Sequence, residues 1–123
     1  MKSKTAARLA AGFVAALALT AASPAFALEV KYEGELVTWT EASDSILNLR
    51  DLGTSYQVKS EYYRNANPGS MLTLWNKNGP SGPADNDGNP GTVESGQYST
   101  IFKLRGVVVR NNAPDRYTSW VTG

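Results

Sequence analysis

Side-chain character alternates every two residues between Thr54 and Arg64, which is the period of a β-strand. Tyr56, Val58 and Tyr62 share one side of this segment, and mostly polar or charged residues occupy the other. No segment after residue 27 shows the 3.6-residue apolar period of an amphipathic helix. The sequence therefore predicts an all-β fold.

Short segments rich in β-forming residues surround this strand and are separated by turn residues. They cover residues 28–41, 46–50, 70–75, 98–110 and 117–121. Strands of this length and spacing are typical of an antiparallel β-sandwich, and we expect about seven strands in an immunoglobulin-like arrangement or a small barrel. The side chains that we expect in the core are Trp39, Val58, Leu72, Leu74, Leu104, Val108 and Trp120.

The first 27 residues have the three regions of a secretory signal peptide. Basic residues precede the apolar stretch 9–20, and Ala25-Phe26-Ala27 provides the small-x-small pattern of a cleavage site. The apolar stretch is shorter than the roughly 20 residues that a membrane-spanning helix needs. We therefore expect a secreted, extracellular protein without a membrane partner, with a single β-sandwich domain over residues 28–123.

The charge of the exported chain argues against nucleic acid as a partner. The whole sequence has 12 Lys and Arg residues and 11 Asp and Glu residues. Lys2, Lys4 and Arg8 precede residue 28, which leaves nine basic residues against eleven acidic ones and a formal charge of −2. A protein that neutralises phosphates needs a basic surface. The sequence therefore predicts no general nucleic-acid binding.

The chain contains no histidine and no cysteine. This absence excludes catalysis by imidazole or thiolate, the usual zinc and copper ligand sets, and disulfides. A pair of carboxylates remains as a catalytic alternative, but most of the acids fall on the outward parity of their strands. We expect a protein that is not an enzyme and that has neither a cofactor nor a metal site.

Residues 76–92 form a long polar segment with four glycines and three prolines, which predicts an exposed loop. Within it, the run from Asp85 to Asn89 has the composition of a calcium loop. The helix-flanked calcium loop needs glycine at its sixth position and glutamate at its twelfth, where this chain has Pro90 and Gly96. An ordinary turn is therefore the favoured interpretation, and weak cation binding by Asp85 and Asp87 is the alternative.

Two aromatic side chains are candidates for an exposed binding surface. Tyr63 lies on the parity opposite to Val58 and Tyr62, and Trp75 stands beside a polar turn. Exposed aromatic rings are frequent in protein interfaces and offer flat contact surfaces. We therefore assign Tyr63 and Trp75 to a candidate binding site.

The acidic segment 28–35 contains two further candidate binding residues, Lys31 and Tyr32. In one interpretation the segment is mobile and docks onto a partner as an added strand, or as an inserted peptide whose Lys31 enters an acidic pocket. In the other it is an edge strand whose lysine opposes aggregation. The sequence leaves both alternatives open.

Four short motifs carry a family resemblance: Glu61-Tyr62-Tyr63-Arg64-Asn65, Leu74-Trp75-Asn76, Lys103-Leu104-Arg105-Gly106-Val107 and Pro114-Asp115-Arg116-Tyr117-Thr118-Ser119-Trp120. Together they resemble small secreted proteins of Streptomyces and related actinobacteria, most of them without an assigned function. Within this group the chain is similar to the adaptor subunits of umbrella-shaped toxin particles that Streptomyces secretes. The resemblance implies a non-catalytic β-sandwich that bridges a scaffold protein and a lectin-bearing subunit with a degenerate trypsin-like domain. It also implies that the segment around Lys31 is one binding element.

Three classes of function fit the sequence. The favoured one is a secreted, non-catalytic protein-interaction module, an adaptor in an extracellular toxin complex whose partners are other secreted proteins. The second is a proteinaceous protease inhibitor that presents Lys31, or Lys77 in the loop 76–92. The third is a carbohydrate-binding or cell-wall-binding domain that uses Tyr63 and Trp75.

Overall fold

The computed structural model describes residues 27–53 and 55–123, which contain nine β-strands and no α-helix. The predicted signal peptide lies outside the described residues, apart from Ala27. Within these ranges, therefore, no helix has the length and apolar character needed to cross a membrane. The strands are β1 (Glu29–Tyr32), β2 (Leu36–Glu41), β3 (Ile46–Asp51), β4 (Gln57–Arg64), β5 (Leu72–Asn76), β6 (Thr92–Glu94), β7 (Ile101–Val109), β8 (Arg116–Tyr117) and β9 (Val121–Thr122).

The strands form two antiparallel sheets that pack together. Sheet A has the order β1-β2-β3-β6, and sheet B has the order β5-β4-β7-β8, with β9 also paired to β7. This arrangement confirms the predicted antiparallel β-sandwich. The strand number is nine rather than about seven, because Gly34 has a φ of 78° and turns the segment 28–41 into a hairpin, and because β8 and β9 are separate two-residue strands.

The apolar core lies between the two sheets. Val58, Leu104 and Val108 are fully buried, as predicted, and Leu74 is half-buried at the edge of the core. At Gly106 the sheets approach so closely that a Cβ atom would lie 2.5 Å from Cδ1 of Leu36. The buried residues form two clusters, Leu36, Leu49, Val58 and Val108 in one, and Leu28, Leu47, Tyr62, Ile101 and Leu104 in the other.

Three residues predicted for the core are placed differently. Leu72 is 38% exposed, because it begins β5, an edge strand of sheet B. Trp39 is only half-buried, because the inward positions of β2 alternate from Leu36 and leave Trp39 on the outward side. Trp120 is also half-buried and stacks beside Tyr63. The two tryptophans thus cover the outsides of the sheets.

Two threonines occupy the inward positions of β2 instead. Thr38 Oγ1 donates to the carbonyl of Asn48 at 2.6 Å and lies 2.7 Å from Oγ of Ser60 in the opposite sheet. Thr40 Oγ1 accepts a hydrogen bond from the backbone nitrogen of Leu28 at 2.8 Å. Buried hydroxyls are tolerated when they are hydrogen-bonded. These bonds allow the polar side of β2 to face the core.

Arg64 is the charged residue that fastens one end of the sandwich. Its side chain is buried, with the residue only 5% exposed. Nη1 donates to the carbonyls of Ser45 and Ser99 at 2.8 and 2.6 Å, and Nη2 donates to Ser95 Oγ and to the carbonyl of Gly96 at 3.1 and 3.2 Å. Arg64 therefore joins the turn after β2 to the segment that precedes β7.

Candidate functional site

Basic and aromatic side chains lie next to one another on the outward side of sheet B. The register places Lys59 beside Trp75 and Tyr63 beside Lys103. Their neighbours in sequence point into the core, because successive residues of a strand face opposite sides of the sheet. We call this surface the aromatic face; it consists of Lys59, Tyr63, Trp75, Lys103, Arg105, Tyr117 and Trp120.

Arg105 lies at the centre of the aromatic face. Its Nη2 atom is 2.6 Å from Oε1 of Glu61, and its Nε atom donates to the same oxygen at 2.8 Å. The guanidinium carbon is 4.3 Å from the ring centroid of Tyr117 and 4.4 Å from that of Trp120. Both distances are within the range of cation–π attraction. The ion pair and the two rings therefore hold Arg105 in one position.

Lys103 and Tyr63 continue the surface away from Arg105. Lys103 Nζ is 4.8 Å from the ring centroid of Trp120 and 5.4 Å from that of Tyr63. The centroids of Tyr63 and Trp120 are 5.7 Å apart at an interplanar angle of 50°, and Phe102 lies 6.1 Å from Tyr63. Tyr63 is half-buried among these rings, so it acts mainly as their support.

Trp75 forms the opposite end of the aromatic face, on the edge strand β5. Lys59 Nζ is 4.9 Å and Lys77 Nζ is 5.6 Å from its ring centroid. Lys59 also lies 3.4 Å from the Glu61 carboxylate, which it shares with Arg105. The residues Trp75 and Tyr117 are 37% and 50% exposed, so both ends of the face are accessible to a partner.

Three of the five predicted binding residues lie together here. Tyr63, Trp75 and Lys77 belong to the same side of sheet B, although they are separated in sequence. Sequence reasoning missed Arg105 and Tyr117. The alternation of Lys103 and Arg105 around a buried leucine was the available signal, but the register that sets them opposite Tyr63 and Glu61 is not visible in the sequence.

The other two predicted binding residues lie on sheet A. Lys31 is exposed on β1, an edge strand that pairs with β2 over its whole length. In the structure this segment is an edge strand, the arrangement of the second alternative. Tyr32 is half-buried against the core, and its hydroxyl accepts a hydrogen bond from Arg116 Nη1 at 3.2 Å. Tyr32 therefore forms a contact within the domain, whereas the Lys31 side chain is exposed.

A shallow cleft of about 200 Å³ lies beside the aromatic face. Its lining includes Asp51, Tyr56, Gln57, Asn76 and Lys77. Pockets for small molecules usually enclose about 300–1,000 Å³. The cleft therefore favours contact with a chain or a flat surface over capture of a small ligand.

A second group of polar residues lies on the outward side of sheet A. Single carboxylate oxygens of Glu41, Asp87 and Glu94 lie within 4.8 Å of one another. Trp39 Nε1 donates to Oε2 of Glu41 at 3.1 Å, and Asn86 Nδ2 donates to Oε1 of Glu94 at 3.0 Å. We call these three acids the acidic cluster. Its members come from β2, from the loop 76–92 and from β6.

The loop that contains Asp87 has a defined conformation. Asp85 Oδ1 accepts hydrogen bonds from the backbone nitrogens of Asp87 and Asn89 at 3.0 and 2.8 Å. At the base of the loop, Asn76 Nδ2 donates to the carbonyls of Leu49 and Gly91 at 3.1 and 2.7 Å. The exposed loop that the sequence predicts is therefore fastened to sheet A.

The surroundings of the acidic cluster raise the pKa of two of its carboxyl groups, Glu41 and Glu94. Burial is the largest cause that raises the pKa of Glu41, and Asp87 raises it further, while Trp39 and Asn48 oppose this rise. Burial likewise raises the pKa of Glu94, followed by the charges of Asp85 and Asp87. Both shifts mean that the fold disfavours the ionised carboxylates.

Comparison with known proteins identifies no relative. No family model matches the chain, and neither the curated proteins nor the solved structures include a match.

Proposed function

We propose that this protein is a secreted, non-catalytic protein-interaction module that binds its partner through the aromatic face. The observation that carries this proposal is the position of Arg105, held by Glu61 and stacked against Tyr117 and Trp120. Tryptophan, tyrosine and arginine are the residues that contribute most binding energy in protein interfaces. Side chains that are already ordered lose little entropy when a partner binds.

The charge of the aromatic face defines the chemistry of the partner. Lys59, Lys103 and Arg105 lie on it together with Lys77 at its edge, and Glu61 is the acid among them. The face is therefore basic, although the exported chain as a whole is slightly acidic. We expect a partner surface that combines carboxylates with apolar or aromatic side chains, because such a surface would pair with both components.

An adaptor needs two surfaces that can be occupied at the same time. The aromatic face belongs to sheet B, whereas Lys31 lies on the edge strand of sheet A. This separation supports the proposal of an adaptor that bridges two secreted proteins. The resemblance to toxin-particle adaptors suggests a scaffold protein and a trypsin-like domain as those partners.

Capture from culture supernatant tests the aromatic face. The exported protein is immobilised, and the captured proteins are identified and cross-linked to map their contacts. We expect Trp75→Ala and Tyr117→Ala each to weaken capture by tenfold or more, on the order of a hot-spot residue. Tyr98→Ala is the matched control, because Tyr98 is a 69% exposed aromatic residue outside the face. Equal capture by all three variants, or cross-links that avoid sheet B, would refute the proposal.

Carbohydrate binding is the second candidate function. Trp75 and Tyr117 are two exposed aromatic residues of the aromatic face, and such rings can stack on sugars. Sedimentation with peptidoglycan, chitin and cellulose distinguishes this function. Retention on one polysaccharide that is lost in Trp75→Ala would favour it over a protein partner.

Protease inhibition has less support. Lys31 is part of a paired strand, and Lys77 lies over the ring of Trp75 directly after β5. Neither lysine stands at the tip of a protruding loop. Unchanged inhibition of trypsin-like enzymes by Lys31→Ala and Lys77→Ala would exclude both residues as an inserted side chain.

A further inference from the structure

The acidic cluster joins three segments that are remote in sequence, and no basic side chain of residues 27–53 or 55–123 forms an ion pair with it. Glu41 ends β2, Glu94 ends β6, and Asp87 lies in the loop between β5 and β6. Both ion pairs found among the described residues involve Glu61 on the other sheet. Three carboxylates brought this close repel one another unless a cation lies between them.

Asn48 is the independent observation that points to a ligand. It is fully buried in the centre of β3, where Trp39 of β2 and Glu94 of β6 are its two register partners. Among residues 27–53 and 55–123, neither Oδ1 nor Nδ2 of its side chain has a hydrogen-bond partner. A buried amide without any partner is rare and destabilising. We infer that the Asn48 amide binds a ligand that is not part of the polypeptide.

The Asn48 side chain lies on the same side of sheet A as the acidic cluster. Its neighbours Leu47 and Leu49 point into the core, so Asn48 points to the outer side of the sheet, beside its register partner Glu94. The two ends of an amide have the same shape, so a half-turn about the last side-chain bond exchanges Oδ1 and Nδ2 without displacing any neighbour. Asn48 can therefore present an oxygen beside Glu94, on the side of the sheet where the acidic cluster lies.

We propose that Glu41, Asp87, Glu94 and the buried Asn48 form a binding site for a divalent cation of the calcium class. All four donors are oxygens, which Ca²⁺ prefers, whereas zinc and copper sites use imidazole or thiolate. Ca²⁺–oxygen distances of about 2.3–2.6 Å place ligands on opposite sides of the ion roughly 4.6–5.2 Å apart. The separation of up to 4.8 Å between the carboxylate oxygens fits this geometry.

The folded loop supplies the geometry that the helix-flanked calcium motif lacks here. Asp85 accepts hydrogen bonds from Asp87 and Asn89 within its own loop and thereby sets the position of Asp87. Glu94 then closes the site from β6, in place of a glutamate at a fixed spacing in the loop. A bound cation would join the loop to both the β2 side and the β6 edge of sheet A.

The affinity should be that of an extracellular module, on the order of 10⁻⁴–10⁻³ M, because Asp87 is exposed and its loop is polar. Isothermal titration of the exported protein with CaCl₂, up to about 10 mM, measures this directly. We expect saturable binding with one site, a melting temperature that rises by several degrees, and reversal by EDTA. MgCl₂ should bind more weakly, because Mg²⁺ demands shorter octahedral distances.

Variants in which an acid is replaced by its amide test which residues bind the cation. Asp87→Asn and Glu94→Gln keep the side-chain shapes, and we expect each to weaken Ca²⁺ binding about tenfold or more, since ligand charge sets affinity. Asp115→Asn removes one charge from a different turn and should bind as the unaltered protein does. Asn48→Asp should bind more tightly and should depend on Ca²⁺ for its stability.

Three results would overturn the proposal. The first is a titration without heat or thermal shift at about 10 mM CaCl₂. The second is unchanged binding in both Asp87→Asn and Glu94→Gln, which would place any ion elsewhere. The third is equal affinity for Mg²⁺ and Ca²⁺, which would refute the calcium-class assignment. None of these results depends on the aromatic face, so the two proposals are tested independently.

Discussion

Glu61 and Arg105 face each other across β4 and β7, where Oε1 of Glu61 accepts hydrogen bonds from two nitrogens of the Arg105 guanidinium at 2.6 and 2.8 Å. The Glu61 side chain is 7% exposed and that of Arg105 is 24% exposed, so water screens the pair only in part. Because Tyr117 and Trp120 cover the guanidinium, this one contact orders the centre of the aromatic face. Stability and binding should therefore both depend on it.

Replacement of Arg105 by lysine distinguishes the effect of the positive charge from that of the guanidinium contacts with Glu61 and the two rings. Lysine keeps the positive charge but loses the double contact with Glu61 and the contact of the guanidinium with the two rings. We expect Arg105→Lys to lower the free energy of unfolding by about 1 kcal/mol, measured by urea denaturation. Arg110→Lys is the control, because Arg110 makes one exposed hydrogen bond to the carbonyl of Pro114. Equal effects of the two variants would mean that the ring stacking contributes nothing.

Arg64 should be one of the most sensitive positions in the chain. Replacement by methionine keeps much of the side-chain volume but leaves the buried acceptors around Ser45 and Ser99 without their donor. We expect Arg64→Met to lower the free energy of unfolding by about 3 kcal/mol. Arg110→Met, at a half-buried arginine whose hydrogen bond to Pro114 is exposed, should change it by less than about 0.5 kcal/mol. Chemical denaturation monitored by tryptophan fluorescence checks both values.

The close approach of Gly106 and Leu36 predicts a steric effect. A Cβ atom at Gly106 would lie 2.5 Å from Leu36 Cδ1, so Gly106→Ala should lower the free energy of unfolding by about 1–3 kcal/mol. Gly69→Ala is the matched control, since no atom lies within 4 Å of a Cβ placed there. In the double variant with Leu36→Ala, the cost of Gly106→Ala should largely disappear. Additive losses in that double-mutant cycle would contradict the contact.

Asp51 should make stability depend on pH. It is 3% exposed, and burial raises its pKa above the ordinary value of 3.8, with a hydrogen bond from Gly53 opposing this and the charge of Glu35 adding to it. Because the folded-state pKa is the higher one, the stabilising contribution is complete below about pH 3.8 and is lost as the pH rises through the folded-state pKa.

Asp51→Asn should therefore be more stable than the unaltered protein at pH 7, and this difference should shrink below about pH 4. The asparagine keeps the oxygen that accepts the hydrogen bond from Gly53. Melting temperatures measured across this pH range give the result, with Asp115→Asn as the control for the loss of one negative charge. A difference that stays constant with pH would show that Asp51 is not the group responsible.

Part of the fold was predictable because it depends on local pattern. The alternation in β4 places Val58 and Tyr62 inward by strand geometry alone, and the structure confirms this. The loop 76–92 follows from residues that disfavour extended pairing. Tyr63 and Trp75 could be assigned to an outward surface for the same reason, since each breaks the apolar parity of its surroundings.

β2 shows where local pattern is insufficient. Its residues Leu36 and Trp39 are both apolar but lie on opposite sides of the strand, so the sequence does not decide which side is buried. The structure buries the side with Thr38, because its hydroxyl meets Ser60 in the opposite sheet. That contact exists only after the two sheets have packed.

The sequence by itself determined the two-residue alternation of side chains in the strands, the positions of several turns and the absence of imidazole and thiolate chemistry. Each of these depends on composition or on the residues of one short segment. Only the tertiary structure decided the register that sets Arg105 against Glu61, and the packing of the loop that brings Asp87 to Glu41. The physical reason is the same in both cases. Contacts between residues this far apart in sequence depend on how whole sheets and loops pack, and no short segment contains that information.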